Sequence, residues 1–318
     1  MAVSTSPALT PALARAALAL AAEASAQDGV GALSEQARLR LAPDSPSSDP
    51  SADPSADTRP RTADTGWLHL VDVVDGELRG YAALDDPAGD APAAEIVVAP
   101  GARRRGSGSA LLAGVRAAAE APPLFWAHGF LDPARAFAAA HRLSVRRELW
   151  RMSVTAADLA ATVGDDPADV PLPEGFRLRT FTPAYGEAWL AVNAAAFADH
   201  PEQGRLGPAD LRARTEQPWF DPAGFLLVED VRDERAPRLA AFHWTKIEEG
   251  LGEVYVVGVD PAYQGSGLGG AVTRAGLAHL RSRGVPEVDL YVDGDNAAAI
   301  ATYRRQGFER VALDVQLG

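Results

Sequence analysis

The chain has 318 residues, of which 47% are hydrophobic and 23% are charged. This length suggests two domains, and such a chain buries a core without needing a metal or a disulfide. The net charge of −13 argues against a general nucleic-acid-binding role, which calls for a basic surface. Because the chain has no cysteine, disulfides, thiolate–metal sites and cysteine nucleophiles are excluded.

The first residues do not have the pattern of a secretion signal, because no charged segment precedes the alanine-rich stretch that begins at Leu13. No apolar run approaches the ~18 residues that a membrane span requires. We therefore expect a cytoplasmic protein with neither a membrane nor a nucleic-acid partner.

The first half combines helix and strand signals with one low-complexity segment. Strong helix formers predict a helix over residues 11–26, and Ser34 is placed to cap a second helix from Glu35 to Leu41. Residues 43–65 are rich in Pro, Ser and Asp and predict a disordered insertion. A hairpin is predicted at Asp75-Gly76, and a further helix ends near Glu120. The strands are predicted over residues 67–74, 78–84, 94–99, 124–127 and 150–154.

The second half repeats this order of elements. Its strands are predicted over residues 176–180, 225–229, 239–246, 253–259 and 288–292. Its helices are predicted over residues 185–197, from the glycine-rich turn to about 283, and over 296–305. We expect an α/β fold of the α+β kind, with an N-terminal module over residues 1–154, a connector over 155–174 and a C-terminal module over 175–318.

A glycine-rich turn between a strand and a helix occurs twice, in the order strand–Pro–x–x–[Arg/Gln]–x–x–Gly–x–Gly–helix. Gly106 and Gly108 of the first copy match Gly267 and Gly269 of the second. Amide N–H groups without partners and the helix dipole favour an anion at such a helix start, and glycine allows a phosphate to approach the backbone. The pair therefore predicts two phosphate-binding turns, rather than turns that only reverse the chain.

Two other phosphate-binding motifs are excluded. Gly265, Gly267 and Gly270 also fit the dinucleotide pattern, with Asp289 near the expected acidic position. The residues after Gly270 are too few to complete a doubly wound sheet, and Leu111 replaces the third glycine in the first copy. A nucleoside-triphosphate loop lacks its Gly-Lys-[Ser/Thr].

Metal and serine-hydrolase chemistry also lack their motifs. His200-Pro201-Glu202 imitates a deaminase fragment but has no cysteine ligands to accompany it, so no metal is expected. The string Gly106-Ser107-Gly108-Ser109 has the wrong spacing for a nucleophile elbow.

The spacing Gln/Arg-x-x-Gly-x-Gly between a strand and a helix resembles the GCN5-related N-acetyltransferases (GNAT). Longer strings at residues 200–204, 242–246, 253–259 and 290–293 are similar to the mycothiol synthase family. The resemblance implies two tandem modules, each a mixed, mostly antiparallel twisted sheet flanked by helices, with a splayed acetyl-CoA cleft. It also implies acetyl transfer from acetyl-CoA to the cysteinyl amine of a cysteinyl-glucosaminyl-inositol, which gives mycothiol and CoA.

The resemblance places the acetyl-CoA contacts in three kinds of segment: the strand end before each loop, the loops themselves, and the start of the last helix. The implied residues are Ile96, Val97, Val98, Arg103, Arg104, Arg105, Gly106, Ser107, Gly108, Val257, Gly258, Val259, Gln264, Gly265, Ser266, Gly267, Leu268, Gly269, Gly270, Asn296, Ala297, Ala298, Ala299, Ile300 and Ala301.

Glu253 and Tyr303 are the candidate catalytic residues, because acyl transfer to an amine needs a base for the ammonium and an acid for the leaving thiolate. Each has a plain alternative, since a strand-start glutamate is usually solvated and a tyrosine on an amphipathic helix is usually in the core. The resemblance implies that the acceptor site is lined by Glu35, Glu202, Lys246, Glu253 and Tyr291.

The repeat places Pro92 opposite Glu253 and Ala140 opposite Tyr303. We therefore expect the first module to hold acetyl-CoA or CoA without turnover, and by analogy we expect a monomer. Two alternatives remain open: a tandem acetyltransferase acting on another amine, such as an aminoglycoside or a protein N-terminus, or a non-catalytic acetyl-CoA-binding module.

Overall fold

The computed structural model describes residues 3–41, 66–198 and 203–318. The predicted insertion at 43–65 and the predicted acceptor residue Glu202 lie outside the described residues. The strands are β1 (Val3–Ser6), β2 (Trp67–Val74), β3 (Glu77–Asp85), β4 (Ala93–Val98), β5 (Leu124–Ala127), β6 (Val145–Thr155), β7 (Phe176–Thr180), β8 (Phe225–Asp230), β9 (Arg238–Glu248), β10 (Leu251–Val259), β11 (Glu287–Asp293) and β12 (Glu309–Leu317). The α-helices are α1 (Pro11–Asp28), α2 (Glu35–Leu41), α3 (Ser107–Ala118), α4 (Asp132–Ala140), α5 (Ala156–Leu159), α6 (Gly186–Ala196), α7 (Pro208–Thr215), α8 (Leu268–Ser282) and α9 (Ala297–Arg305).

The chain divides into two compact units, one of Met1–Glu148 with Leu313–Gly318 and one of Leu149–Ala312. Among the helices of the described ranges, none has the length and apolar character that crossing a bilayer requires.

In the first unit the strands follow the order β1-β2-β3-β4-β5-β12, and the neighbours β4 and β5 are parallel. The other recorded neighbours are antiparallel. Helix α1 begins where the Thr10 hydroxyl accepts from the Leu13 N–H and ends at Gly29 in the left-handed conformation. Its small apolar side chains, among them Ala17 and Ala24, are fully buried against the sheet, which explains its alanine-rich sequence.

In the second unit the strands follow the order β6-β11-β10-β9-β8-β7, and again two neighbours, β10 and β11, are parallel. Helix α8 packs on β8, β9 and β10. An aromatic cluster fills the core beneath α6, where the rings of Phe225 and Trp244 stack at 4.2 Å and both meet Trp189 edge-on. The helices of this unit therefore pack their apolar faces on the strands that carry the predicted site.

The predicted modules and the observed units differ at two places. The C-terminal segment was predicted to belong to the second module, but Val315 pairs with Ala127 of β5 in the first unit. Residues 149–155 were predicted within the first module and its connector, but they pair with β11 of the second unit. A local sequence pattern does not show which distant strands pair with each other, so the repeat alone could not reveal these partners.

Candidate active site

The parallel strands β10 and β11 diverge after a short pairing. Ladder pairs run from Gly252 with Val288 to Val254 with Leu290, and in the described chain both strands continue past them without further pairing to each other. On its other edge β10 pairs with β9 through a bulge at Tyr255, where the register shifts. On the edge that faces β11, the backbone of Val257–Val259 has no strand partner among the described residues.

The predicted loop follows directly at the end of β10. Gly265 and Gly267 have φ of 77° and 84°, conformations that glycine adopts without strain. Gly267 is the N-cap of α8, and within the described chain no side chain caps this helix. The first N–H groups of α8 are therefore available to an anion, and the helix dipole reinforces them. The structure thus brings the predicted residues Gln264–Gly270 together in one uncapped helix start.

A row of charged side chains crosses the sheet where the two strands begin to separate. Glu253 pairs laterally with Lys246 of β9 and with Asp289 of β11, so the three side chains emerge on the same face. Lys246 and Asp289 are only 5% and 4% exposed, whereas Glu253 is half-buried. A carboxylate that keeps partial access to solvent at this point can take a proton from a bound amine.

Lys246 is held against aromatic rings and a carboxylate. Its Nζ lies 2.9 Å from Glu248 Oε2, 4.9 Å from the Trp219 ring centre and 5.6 Å from the Tyr255 ring centre. Tyr255 is itself fixed, because its hydroxyl accepts a 2.8 Å hydrogen bond from Arg214 Nε. These contacts hold a fixed positive charge beside Glu253.

Asp289 is buried, and burial raises its pKa above the ordinary aspartate value. Arg151 Nε lies 3.1 Å from its Oδ2, while its Oδ1 has no hydrogen-bond partner among the residues that the structure describes. Tyr291, two positions along β11 and therefore on the same face, is 47% exposed. The predicted acceptor residues Lys246, Glu253 and Tyr291 therefore lie on one face of the sheet.

The second predicted catalytic residue lies on α9. Asn296 caps this helix, with its Oδ1 accepting from the Ala299 N–H at 3.1 Å. Tyr303 follows about two turns later, is buried, and meets Phe308 edge-on at 5.8 Å. Burial raises the pKa of Tyr303 to about 12, so the phenol is protonated at neutral pH. Such a group can donate a proton but cannot act as a base.

The first unit repeats the divergence and the loop. Parallel strands β4 and β5 pair over three positions, and Gly106, with φ of 95°, is the N-cap of α3. A cavity of about 540 Å³ lies here, lined by Ile96–Val98, by the loop and by the start of α3. Arg103 is already engaged by Asp28 at 2.7 and 2.8 Å, so this predicted phosphate ligand ties the end of α1 to the loop.

The expected matches of Pro92 with Glu253 and of Ala140 with Tyr303 are both wrong. Pro92 precedes β4, which is shorter than β10 and has no bulge. Counted back from the loop in the antiparallel register, with the bulge at Tyr255 left out, Ala93 takes the place of Glu253. By position in the helix, Ala138 rather than Ala140 takes the place of Tyr303. Both chemical groups are nevertheless replaced by alanine.

Glu35, the remaining predicted acceptor residue, is the first residue of α2 in the first unit. Sequence reasoning missed Asp289, Arg151, Trp219 and Tyr255 as neighbours of the predicted site. The period-two pattern of β11, which places Asp289 on the face of Tyr291, was the one signal that indicated any of them.

Sequence comparison shows the family of this chain, and comparison with solved structures shows its fold. The acetyltransferase (GNAT) family model matches residues 184–308. The chain is 47% identical over 302 residues to the mycothiol acetyltransferase of Thermomonospora curvata, covering 94% of this chain and 91% of that protein. It is 48% identical over 307 residues to the mycothiol acetyltransferase of Kineococcus radiotolerans, covering 95% and 91%.

Among solved structures, a tandem GNAT protein from the clavulanic acid biosynthesis pathway matches with a TM-score of 0.66 at 20% identity, covering 99% of this chain and 98% of that one. A GCN5-related N-acetyltransferase from Sphaerobacter thermophilus matches with a TM-score of 0.63 at 22% identity, covering 99% and 94%. The predicted fold class, two tandem modules with mixed sheets flanked by helices, is confirmed.

Proposed function

Because the chain belongs to the mycothiol acetyltransferase family, we propose that it moves acetyl from acetyl-CoA to the cysteinyl amine of a cysteinyl-glucosaminyl-inositol, giving mycothiol and CoA. The observation that carries the proposal is the coincidence, in the second unit, of the uncapped α8 start with Glu253 at the strand divergence. One feature binds the donor and the other supplies the base.

Backbone groups hold the donor. The pyrophosphate lies at the N–H groups of the first turn of α8, where Gly267 and Gly269 keep the surface free of side chains. The pantetheine arm follows the unpaired edge at Val257–Val259, and the start of α9 supports the remainder. This arrangement puts the thioester at the point where β10 and β11 separate.

Proton transfer follows from the two predicted side chains. Glu253 takes a proton from the cysteinyl ammonium, the freed nitrogen bonds to the acetyl carbon, and the carbon–sulfur bond breaks. Tyr303 donates its proton to the departing thiolate of CoA, the new amide nitrogen loses its surplus proton to solvent, and the tyrosinate takes a proton back from solvent. The carboxylates of Glu253 and Glu202 suit the cationic amine of the acceptor, whereas the Lys246 ammonium can donate hydrogen bonds to its hydroxyl groups, with Tyr291 as a further contact.

The first unit, we propose, binds a CoA nucleotide but does not turn it over. Its cavity and glycine loop support binding. The alanines that replace both chemical groups, Ala93 and Ala138, support the absence of turnover.

The test compares matched variants in the two units. Glu253→Gln and Tyr303→Phe should each lower kcat by about 10²- to 10⁴-fold, the usual contribution of general acid–base catalysis. Gly267→Val should raise the KM for acetyl-CoA and so lower kcat/KM. The matched Gly106→Val should lower kcat/KM by a smaller factor. A larger loss from Gly106→Val would reverse the assignment of the catalytic unit.

Acceptor identity is tested by CoA release with the cysteinyl pseudodisaccharide, an aminoglycoside and an N-terminal peptide. CoA is quantified chromatographically, because the proposed acceptor itself carries a thiol. Faster turnover of another amine would favour a different tandem acetyltransferase, and binding without turnover of any amine would favour a non-catalytic module. The cytoplasmic monomer stays a prediction, and light scattering on the purified chain tests its oligomeric part.

A further inference from the structure

A buried chain of polar side chains crosses the first unit from its last strand to helix α2. Asp314 Oδ2 lies 3.0 Å from His128 Nδ1, and His128 Nε2 lies 3.3 Å from Glu95 Oε2. Glu95 in turn accepts two hydrogen bonds from Ser34, one from its backbone N–H at 2.6 Å and one from its hydroxyl at 2.5 Å. Four residues that are far apart in the sequence thus form one connected array.

His128 is the positive centre of this array. Burial alone would lower its pKa, but the hydrogen bonds and charges of Asp314 and Glu95 raise it to about 10. Both ring N–H groups therefore donate at neutral pH. Burial would raise the pKa of Glu95, yet His128 and Ser34 outweigh burial and lower it. A glutamate that is only 6% exposed thus stays ionised.

The two bonds from Ser34 connect Glu95 to the start of α2. The Ser34 hydroxyl also caps this helix, accepting from the Ala37 N–H at 3.2 Å. Glu35, the residue implied to contact the acceptor, comes next in the chain and forms the first turn. Ala37 and Leu41 are buried in the body of the short helix, and the Ser34–Glu95 contact lies at its start.

His128 also lines the cavity of the first unit, next to the β4–β5 divergence. Buried ion pairs can often be replaced by apolar residues without loss of stability. Stability alone therefore does not explain why an ionised carboxylate contacts the cap of a helix. The directed contacts point to a role in placement.

We propose that Glu95 is a positioning residue for the acetyl acceptor, which holds Glu35 in its binding position through Ser34 while His128 and Asp314 hold Glu95. This inference rests on the proposed function, since it takes Glu35 as an acceptor contact.

The experiment measures kcat and both KM values for Glu95→Gln, Glu35→Gln and the double variant. Glutamine keeps the volume of Glu95 but has one acceptor oxygen for the two Ser34 donors. Glu95→Gln should raise the KM for the acceptor about tenfold, equivalent to about 1.4 kcal/mol at 25 °C. The kcat and the KM for acetyl-CoA should stay within about twofold. In the Glu35→Gln background, Glu95→Gln should add no further change, because the side chain that it positions is already altered.

Asp132→Asn, an exposed carboxylate of the same unit, serves as the matched control and should leave all three constants unchanged. Ser34→Ala provides a second route if Glu95→Gln folds poorly, because it removes the hydroxyl bond to Glu95, together with the cap to Ala37, and leaves Glu95 and the backbone bond in place. It should raise the KM for the acceptor by a smaller factor.

Two failures are distinguishable. If Glu35→Gln leaves the KM for the acceptor unchanged, the acceptor role of Glu35 within the proposed function is wrong, and the positioning role falls with it. If Glu35→Gln raises that KM but Glu95→Gln acts additively, or lowers kcat and affects both KM values alike, Glu95 is a structural residue and the positioning proposal alone is overturned.

Discussion

Helix α8, which begins at the second glycine-rich loop, lies on the sheet at a contact between Gly276 and His243. A Cβ on Gly276 would lie 2.0 Å from His243 Nδ1 and 2.2 Å from its Cε1. The ring cannot move aside freely, because it is fully buried and its Nδ1–H donates to the Val272 carbonyl at 3.0 Å. Gly276→Ala must therefore displace either the ring or the helix.

The magnitude follows from three contributions. Overpacking costs about 1–3 kcal/mol, and loss of the His243 hydrogen bond costs about 1 kcal/mol. Alanine is better than glycine in a helix by about 1 kcal/mol, which offsets part of this cost. We expect Gly276→Ala to lower the free energy of unfolding by about 1–3 kcal/mol, measured by urea denaturation, and to raise the KM for acetyl-CoA.

Gly269→Ala is the matched stability control in the same helix, since its Cβ would find its nearest atom, Val259 Cγ2, at an ordinary 3.6 Å. It should be neutral or slightly stabilising. The double variant His243→Ala/Gly276→Ala should be less destabilised than the sum of its single variants, because the space for the methyl group is then open. Equal stability of Gly276→Ala and Gly269→Ala would refute the close contact of α8 with β9.

Two further changes test local interactions. Asn296→Ala removes the cap of α9 and should lower the free energy of unfolding by about 1 kcal/mol, whereas Asn296→Asp, which keeps the acceptor oxygen, should not. The raised pKa of His128 contributes stability that is complete below about pH 6.5 and is lost as the pH rises towards about 10. Thermal unfolding of His128→Asn should therefore depend less on pH across that window than unfolding of the natural chain, and identical pH profiles would contradict the ionised array.

Elements whose signals are local were predicted well. The Asp75-Gly76 pair turns with both φ values positive, as the hairpin pattern requires, and the two strands beside it lie where they were expected. Ser34 caps α2 as predicted, and Asn296 caps α9 at the predicted start of the last helix. In each case the stabilising contact joins residues three or four positions apart, so the sequence itself carries the information.

Several elements that depend on distant partners were missed. β12 was not predicted, although Glu309–Leu317 forms a strand whose end pairs with β5, about 190 residues earlier in the chain. β1 and α7 were missed for a related reason, since each is short and depends on packing against the rest of its unit. The array of Ser34, Glu95, His128 and Asp314 has no sequence signature, because its members share no spacing.

In the candidate site, the backbone features could be predicted from the sequence, whereas the roles of the side chains could not. A glycine loop binds phosphate through backbone N–H groups, so its spacing is readable in both units wherever glycine supplies the positive φ, at Gly106 and at Gly267. Chemistry depends instead on which side chains occupy the paired positions at the strand divergence. Ala93 has no proton to exchange, whereas Glu253 lies in a charged row. A repeated loop therefore predicts two donor-binding sites, and the side chains at the divergence must be known before either is assigned turnover.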